Sequence, residues 1–397
     1  MAAPTLETNA AADTLRILSG TPGDPVTWND VWDWDDGGGS FGGAGDVPKD
    51  GGGTAKVNTF MTETIADGVY LILKNIQFGD DVTPSYFQSK NEMVYFNIDC
   101  LFAVNDNAIL TLGEKDGDYG INGSFWSIQY TTASMYVYHT MNMYASRLHL
   151  REDSSYCSFY VDEDVCEFIN VQLSGTGTTS STMQFRFRGS NLTLKKVYSN
   201  NLYSGFRLHT NPAIFEECHS HKTAAGGAIY ASGNEEMTAS EARMTSVGVG
   251  SPSARSDNLA RLNVIDIKGD VGTVYIYSDG GWIKEQYTCN VHIANKDGAD
   301  LAGVAVDCED TNGDAVWAAG TIVTDAAGDI AEQVITYKKW EGTDETLTEY
   351  SPHKFTISKA GYETLVLDNI TIDSPIVWHE ELQDSGSQRP RFRMHGA

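Results

Sequence analysis

From about residue 56 to 275 the chain runs in short apolar and aromatic segments, among them 69–73, 93–98, 135–138, 183–187 and 274–277, and helical periodicity is almost absent. Segments of this length and composition read as strands. Polar turn clusters separate them, GDD at 79–81, KDGDYG at 115–120 and SGTG at 174–177. The pattern therefore predicts an all-β domain of many short strands.

One internal repeat sharpens this. The segments starting at Asn191 (NLTLKKVYSNNLYSGFRLH) and Pro212 (PAIFEECHSHKTAAGGAIYA) align with Leu194 over Phe215, Val197 over Cys218 and Gly205 over Gly226, a period of about 21 residues. That period is the length of one coil of a β-solenoid, in which like residues stack from coil to coil to fill the interior. Residues 56–284 are accordingly expected to form a right-handed parallel β-helix-like body, with SMYVYHTMNMYASRLHL and YCSFYVDEDVCEFINVQL as earlier coils. A jelly-roll or two-sheet sandwich body is the alternative, because apolar runs of this length suit parallel and sandwich strands alike.

Residues 285–383 change character. VHIANKDGADLAGVAVDCEDTNGD, TIVTDAAGDIAEQVITY and SPHKFTISKAGYETLVLDNITI alternate apolar and polar positions between Asp-Gly or Gly-Asp turns, which predicts a small β-sandwich. Its inward set would be Val291, Ile293, Leu301, Val304, Val306, Ile322, Ile330, Val334, Phe355, Ile357, Leu365 and Leu367. The strings KDGADLAGVAVDCED, TDAAGDI and SPHKFTISKAGYETL resemble the carboxypeptidase-regulatory-like, or transthyretin-like, β-sandwich appended to many surface and viral proteins. The likeness rests on the xGxxLxGVxV opening, the TDxxG turn and the KAGYET strand, and spans about a quarter of the chain. Such modules carry no catalytic residues of their own, so the resemblance implies an accessory or adhesive role.

The two ends read differently again. Residues 1–55 form an attachment arm, with Trp28, Trp32 and Trp34 just ahead of a glycine-rich tract. A Trp cluster on such an arm marks a buried anchor, expected at an interface with a neighbouring subunit. Residues 384–397 form a basic tail in which Arg389, Arg391 and Arg393 sit together. It is either a solvated tail or a strand that docks onto an acidic neighbour. The GDPVTWNDV entry, glycine-rich spacer and β-rich body are similar to structural proteins of tailed viruses.

Charge narrows the partners. The chain has 27 Lys and Arg against 54 Asp and Glu, a net charge of −27 over 397 residues, which repels DNA and anionic lipid. Nucleic acid is not expected as a partner. Membrane insertion is not expected either, since no run approaches the roughly 18 consecutive apolar residues of a span, and MAAPTLETNA lacks the features of a signal peptide. The six cysteines (Cys100, Cys157, Cys166, Cys218, Cys289 and Cys308) include no CxxC pair, so a zinc ribbon and a thioredoxin motif are absent. Cys289 and Cys308 could meet within the C-terminal unit, although spacing establishes no disulfide.

Three groups carry candidate chemistry. Asp162, Glu163 and Asp164 form the densest carboxylate cluster and would be the place to seek a glycan-cleaving pair; the plainer reading is a solvated turn. His219 and His221 share one face of a strand and suit a transition metal, yet lack an evident third ligand, so polar surface is the plainer reading. Asp307, Glu309, Asp310, Asn312 and Asp314 alternate oxygen ligands as a calcium loop does, but the glycine precedes Asp314 and the twelfth-position Glu is missing, so a hairpin turn competes. No phosphate-binding GxxxxGK[ST], HExxH or dinucleotide fingerprint occurs. No cofactor is expected, calcium apart.

Together with the viral resemblance, these features lead to the expectation of a non-enzymatic virion structural protein: a tail fibre, spike or capsid-surface decoration. It would act in assembly and adhesion to a host glycan or protein, beside other virion proteins, as a homo-oligomer with a trimer favoured over a pentamer. The rivals are a polysaccharide-degrading tailspike or extracellular glycan hydrolase or lyase, and a cell-surface filament or surface-layer subunit.

Overall fold

The computed structural model describes residues 6–9, 14–33, 46–48, 54–56 and 61–63, and most of 68–386. Outside the described residues lie 97–99, 116–122, 131–133, 153–157, 162–165, 176–183, 223–227, 247–253 and a scatter of single residues and pairs. The protein is all-β, and its chain divides into two compact units. The first comprises Met1–Leu262, Lys268–Ile283 and Glu341–Glu345, the second Asn263–Ile267, Lys284–Trp340 and Thr346–Ala397. Among the described residues no helix is long and apolar enough to cross a membrane.

The body of the first unit is a parallel β-solenoid. Along one face, Thr14–Ile17, Asn75–Phe78, Phe102–Val104, Ser134–Val137, Ser158–Val161, Gln184–Phe187, Ser204–Leu208, Ile229–Gly233, Ala254–Asn258 and Val274–Ile276 pair in succession, every step parallel. Two further ladders complete each coil. Ser85–Ser89, Ala108–Leu112 and Thr140–Tyr144 stack in one, and Met93–Phe96, Phe125–Tyr130 and Arg147–Glu152 in the other. The strands Glu167–Gly175 and Thr193–Asn200 run through both ladders. They turn the corner at Asn170 and Lys196, whose φ angles are 56° and 55°. Ala145, Glu217 and Glu241 take the same left-handed conformation where one strand of a coil gives way to the next. A single residue in that region turns the chain sharply, at a cost the stacked coils offset.

Alternation along each strand sends one side chain inward and the next outward. The inward column Leu112, Met143, Phe168, Leu194 and Phe215 runs unbroken through five coils, all of it buried. Each such side chain contributes about 1.5–3 kcal/mol of hydrophobic stabilisation. The repeat legible in the sequence is real at Leu194–Phe215 and at Tyr198–His219, both offset by 21 residues. It fails at Gly205, because the adjoining Phe206 pairs with Ile229, 23 residues on. From Asn75–Phe78 onward, coil length varies from 20 residues (Ser256 to Ile276) to 33 (Val104 to Val137). Insertions at the coil edges cost the stacked strands nothing but erase the period.

The N-terminal segment departs from expectation. Residues 14–33 belong to the solenoid body rather than to a separate arm: Thr14–Ile17 pairs with Asn75–Phe78, and Leu15 and Ile17 are buried. A short helix, Trp28–Asp33, follows. Thr27 caps it, its hydroxyl accepting from the Asp30 N–H at 3.3 Å while Asp30 Oδ2 accepts from the Thr27 N–H at 2.8 Å, a reciprocal box that satisfies helix-end donors. The cap delivers Trp28 into the interior, fully buried among Phe78, Phe87, Phe96 and Trp126.

In the second unit, Ala305–Glu309, His353–Ser358 and Leu365–Ile370 form an antiparallel sheet. The C-terminal half of the strand Trp282–Asn295 pairs in parallel with Ile376–Leu382. Val291, Ile293, Leu301, Val304, Val306, Ile330, Phe355 and Ile357 are buried, whereas Ile322, Leu365 and Leu367 are half-buried. Val334 corrects the expected inward set: it is 40% exposed and its neighbour Ile335 is fully buried. A one-residue change of phase exchanges the two faces of a strand, and the adjacent pair Val334–Ile335 gives the sequence no means of choosing.

Candidate functional site

The described solenoid carries its most distinctive surface chemistry on the outward side of the face that runs from Thr14–Ile17 to Val274–Ile276. Register places Tyr160, Arg186, Arg207, Tyr230, Arg255 and Tyr275 at one position on six successive strands. Their inward neighbours Phe159, Phe185, Phe206, Ile229, Ala254 and Val274 are buried, so alternation sends the column outward.

Within this column the cations stack on the rings. The Arg186 guanidinium carbon lies 4.7 Å from the Tyr160 ring centroid, and Arg188 adds a second cation at 4.9 Å. Tyr230 is sandwiched, with Arg207 at 4.4 Å and Arg255 at 4.6 Å. Arg255 also lies 5.1 Å from Tyr275. A guanidinium over an aromatic face is held by the ring quadrupole, and stacking fixes its plane. His209, half-buried next along the chain from Leu208, has its pKa pushed down to about 4, first by burial and then by the charges of Arg207, Arg188 and Arg186. The imidazole is therefore neutral at pH 7, and the positive charge of this surface belongs to the arginines.

The histidine pair expected from the sequence is geometrically real. His219 and His221 lie half-buried on one face of the strand His219–Lys222, with Ser220 buried between them. The positions flanking His219 across the ladder are Tyr198 and Arg243, neither of them a third metal ligand. Cys218 points into the core with its thiol pushed up to about 12, chiefly by burial. Among the described residues no group of three or more His, Cys, Asp and Glu side chains is placed to hold a metal ion.

The calcium-loop candidates resolve into turn geometry. Asp310 Oδ1 accepts from the backbone N–H groups of Asn312 and Asp314 at 2.8 and 3.0 Å. Glu309 pairs with Lys354 at 2.8 Å, and Asp307 Oδ1 accepts from the Gly320 N–H at 2.6 Å. The same turn recurs at Asn295, which takes the N–H groups of Asp297 and Ala299, and at Asp325, which takes those of Ala327 and Asp329. Each has glycine three positions on, Gly298, Gly313 and Gly328, with φ of 78°, 83° and 79°. A side chain that mimics a backbone turn, followed by a left-handed glycine, needs no ion.

Asp162, Glu163, Asp164, Trp34, Cys157, Arg389, Arg391 and Arg393 lie outside the described residues, as does the side chain of Trp32. Trp28 is an anchor, but within its own chain: a fully buried side chain offers no surface to a neighbouring subunit. Cys289 and Cys308 are buried free thiols; burial pushes Cys289 up to about 12, and Cys308 is raised by burial and by its proximity to Cys289. The arginine and tyrosine column itself escaped the sequence reading. Its members are separated by intervals that follow the unequal coil lengths, and only strand register collects them. No family model matches this chain, and no curated protein matches it.

Proposed function

We propose that this chain is a structural and adhesive protein of a virion surface, a tail fibre, spike or capsid decoration, whose solenoid serves as a stiff support for a binding face. The observation that carries the reading is the outward column of stacked arginine and tyrosine on a chain of net charge −27. An acidic exterior keeps a high-copy assembly soluble, while concentrating cations and rings on one register position of a solenoid makes a local binding surface. The second unit is read as a carboxypeptidase-regulatory-like β-sandwich, a reading supported by the antiparallel sheet around His353–Ser358 and by the buried positions shared with the resemblance. Homo-oligomeric assembly, a trimer before a pentamer, belongs to the same proposal.

Two measurements test it together. Antibodies raised against the purified chain should label the surface of virus particles from the source culture by electron microscopy, and light scattering should give a closed oligomer. Label confined to cells, with a monomer in solution, overturns the reading.

A further inference from the structure

We propose that the arginine and tyrosine column of the solenoid is a binding site for a linear polyuronate, a polysaccharide carrying regularly spaced carboxylates, laid along the coil axis. The proposal deepens the adhesive reading above by naming the ligand class and by placing the site on the solenoid instead of the C-terminal unit.

Geometry supports it first. Neighbouring parallel strands are about 4.8 Å apart, so the column is a linear array along the coil axis, with Arg207 and Arg255 two steps apart and Tyr230 between them. Such an array matches a linear polymer better than a compact ligand. Its side chains are also held in place: Tyr230 is almost completely buried, clasped by Arg207 and Arg255 at 4.4 and 4.6 Å. Stacking lowers the entropy that long arginine side chains lose when they grip a ligand.

Chemistry selects the ligand. A guanidinium carries its N–H groups in a planar fork that takes both oxygens of a carboxylate, and here its carbon is held 4.4–5.1 Å from a ring centroid. Tyr275, 41% exposed at the end of the column, and Tyr277, 62% exposed two residues on, present ring surface suited to the apolar face of a sugar. The column runs Tyr160, Arg186, Arg207, Tyr230, Arg255 and Tyr275, so rings flank its cations and one ring separates Arg207 from Arg255. That mixture of cations and rings suits a polymer whose acidic groups are carried on sugars with apolar faces.

The experiment uses the full chain and titrates it calorimetrically with polygalacturonate, neutral dextran and dextran sulfate, at about 0.15 M salt, where exposed charges beyond roughly 8 Å are screened. Polygalacturonate should bind and dextran should not. Arg207→Gln and Arg255→Gln should each weaken polygalacturonate binding about tenfold, the loss of one charge-assisted pair. Arg207→Lys, which keeps the charge and loses the fork, should weaken it severalfold, and Tyr230→Phe, which keeps the ring, should bind as the native chain does. Each variant is first compared with the native chain by thermal melting, and Arg207→Lys serves as the deciding variant should the glutamine variants fail to fold.

No binding of polygalacturonate, equal binding of dextran, tighter binding of dextran sulfate, or unchanged affinity in folded Arg207→Lys overturns the proposal. So does salt-sensitive self-association that the same substitutions abolish, since the face would then dock a second copy of this acidic chain. Particle labelling is independent of these readouts. A labelled particle with no polyuronate binding removes this inference alone, and polyuronate binding by a chain absent from particles removes the virion reading alone.

Discussion

The Trp28 indole lies 4.9 Å, centroid to centroid, from the Phe87 ring, edge to face at 71°. Around that contact Phe78, Phe96 and Trp126 close an aromatic cluster, so a side chain from the N-terminal segment completes the solenoid interior. Trp28→Ala should cost about 3–5 kcal/mol, the usual loss on emptying a large buried aromatic site. Chemical denaturation followed by tryptophan fluorescence would read it. An unchanged unfolding midpoint would place the tryptophan outside the cooperative core.

Glu92 gives the solenoid a pH dependence of unusual sign. Its carboxylate accepts from the Ser89 hydroxyl at 2.8 Å, and Ser89 Oγ accepts from the Trp126 Nε1–H at 3.1 Å. Burial outweighs those hydrogen bonds, and the nearby Asp30 charge adds to it, lifting the pKa from 4.5 to about 7. The folded chain then holds this proton between pH 4.5 and 7 while the unfolded chain releases it. The stabilisation is complete below the unfolded pKa and is lost as pH rises through that window, by roughly 3 kcal/mol at most. Glu92→Gln should flatten the stability profile of the solenoid between pH 5 and 7, measured as melting temperature against pH.

His353 works in the opposite direction in the second unit. It is 1% exposed, and neither ring nitrogen finds a hydrogen-bond partner among the described residues. Burial lowers its pKa below the ordinary 6.5, with the Asp310 charge opposing. The unfolded chain takes up the proton first, so stability is present above pH 6.5 and is lost as pH falls below it. His353→Phe should reduce that acid sensitivity, with hydrogen exchange in the strand His353–Ser358 slower than in the native chain at mildly acid pH. Exchange as fast as in the native chain would assign the acid lability to other groups.

The three matching turns give a prediction about ions. Asp310→Ala and Asp325→Ala should each cost about 1 kcal/mol, the loss of side-chain acceptors for turn N–H groups. Calcium should leave the melting temperature unchanged in the native chain and both variants. A calcium-dependent rise that Asp310→Ala alone removes would restore the ion-binding reading of that loop.

Sequence alone determined the class of this fold. Strand-length apolar runs separated by turn residues specify all-β structure locally, and the 21-residue offset of Leu194 and Phe215 was enough to indicate stacked coils. Alternation within the C-terminal strands also marked Val291, Ile293, Phe355 and Ile357 as buried, because a strand's period of two is a property of its own backbone. What only the tertiary structure decided depends on register between segments far apart in the chain. Trp28 reads as an anchor buried against a neighbouring subunit until the strand Thr14–Ile17 is paired with Asn75–Phe78. Arg186, Arg207, Tyr230 and Arg255 stand scattered until coils of unequal length bring them to one position. Local sequence encodes which way a side chain faces, but what it stands beside is set by how many residues each coil spends on its turns.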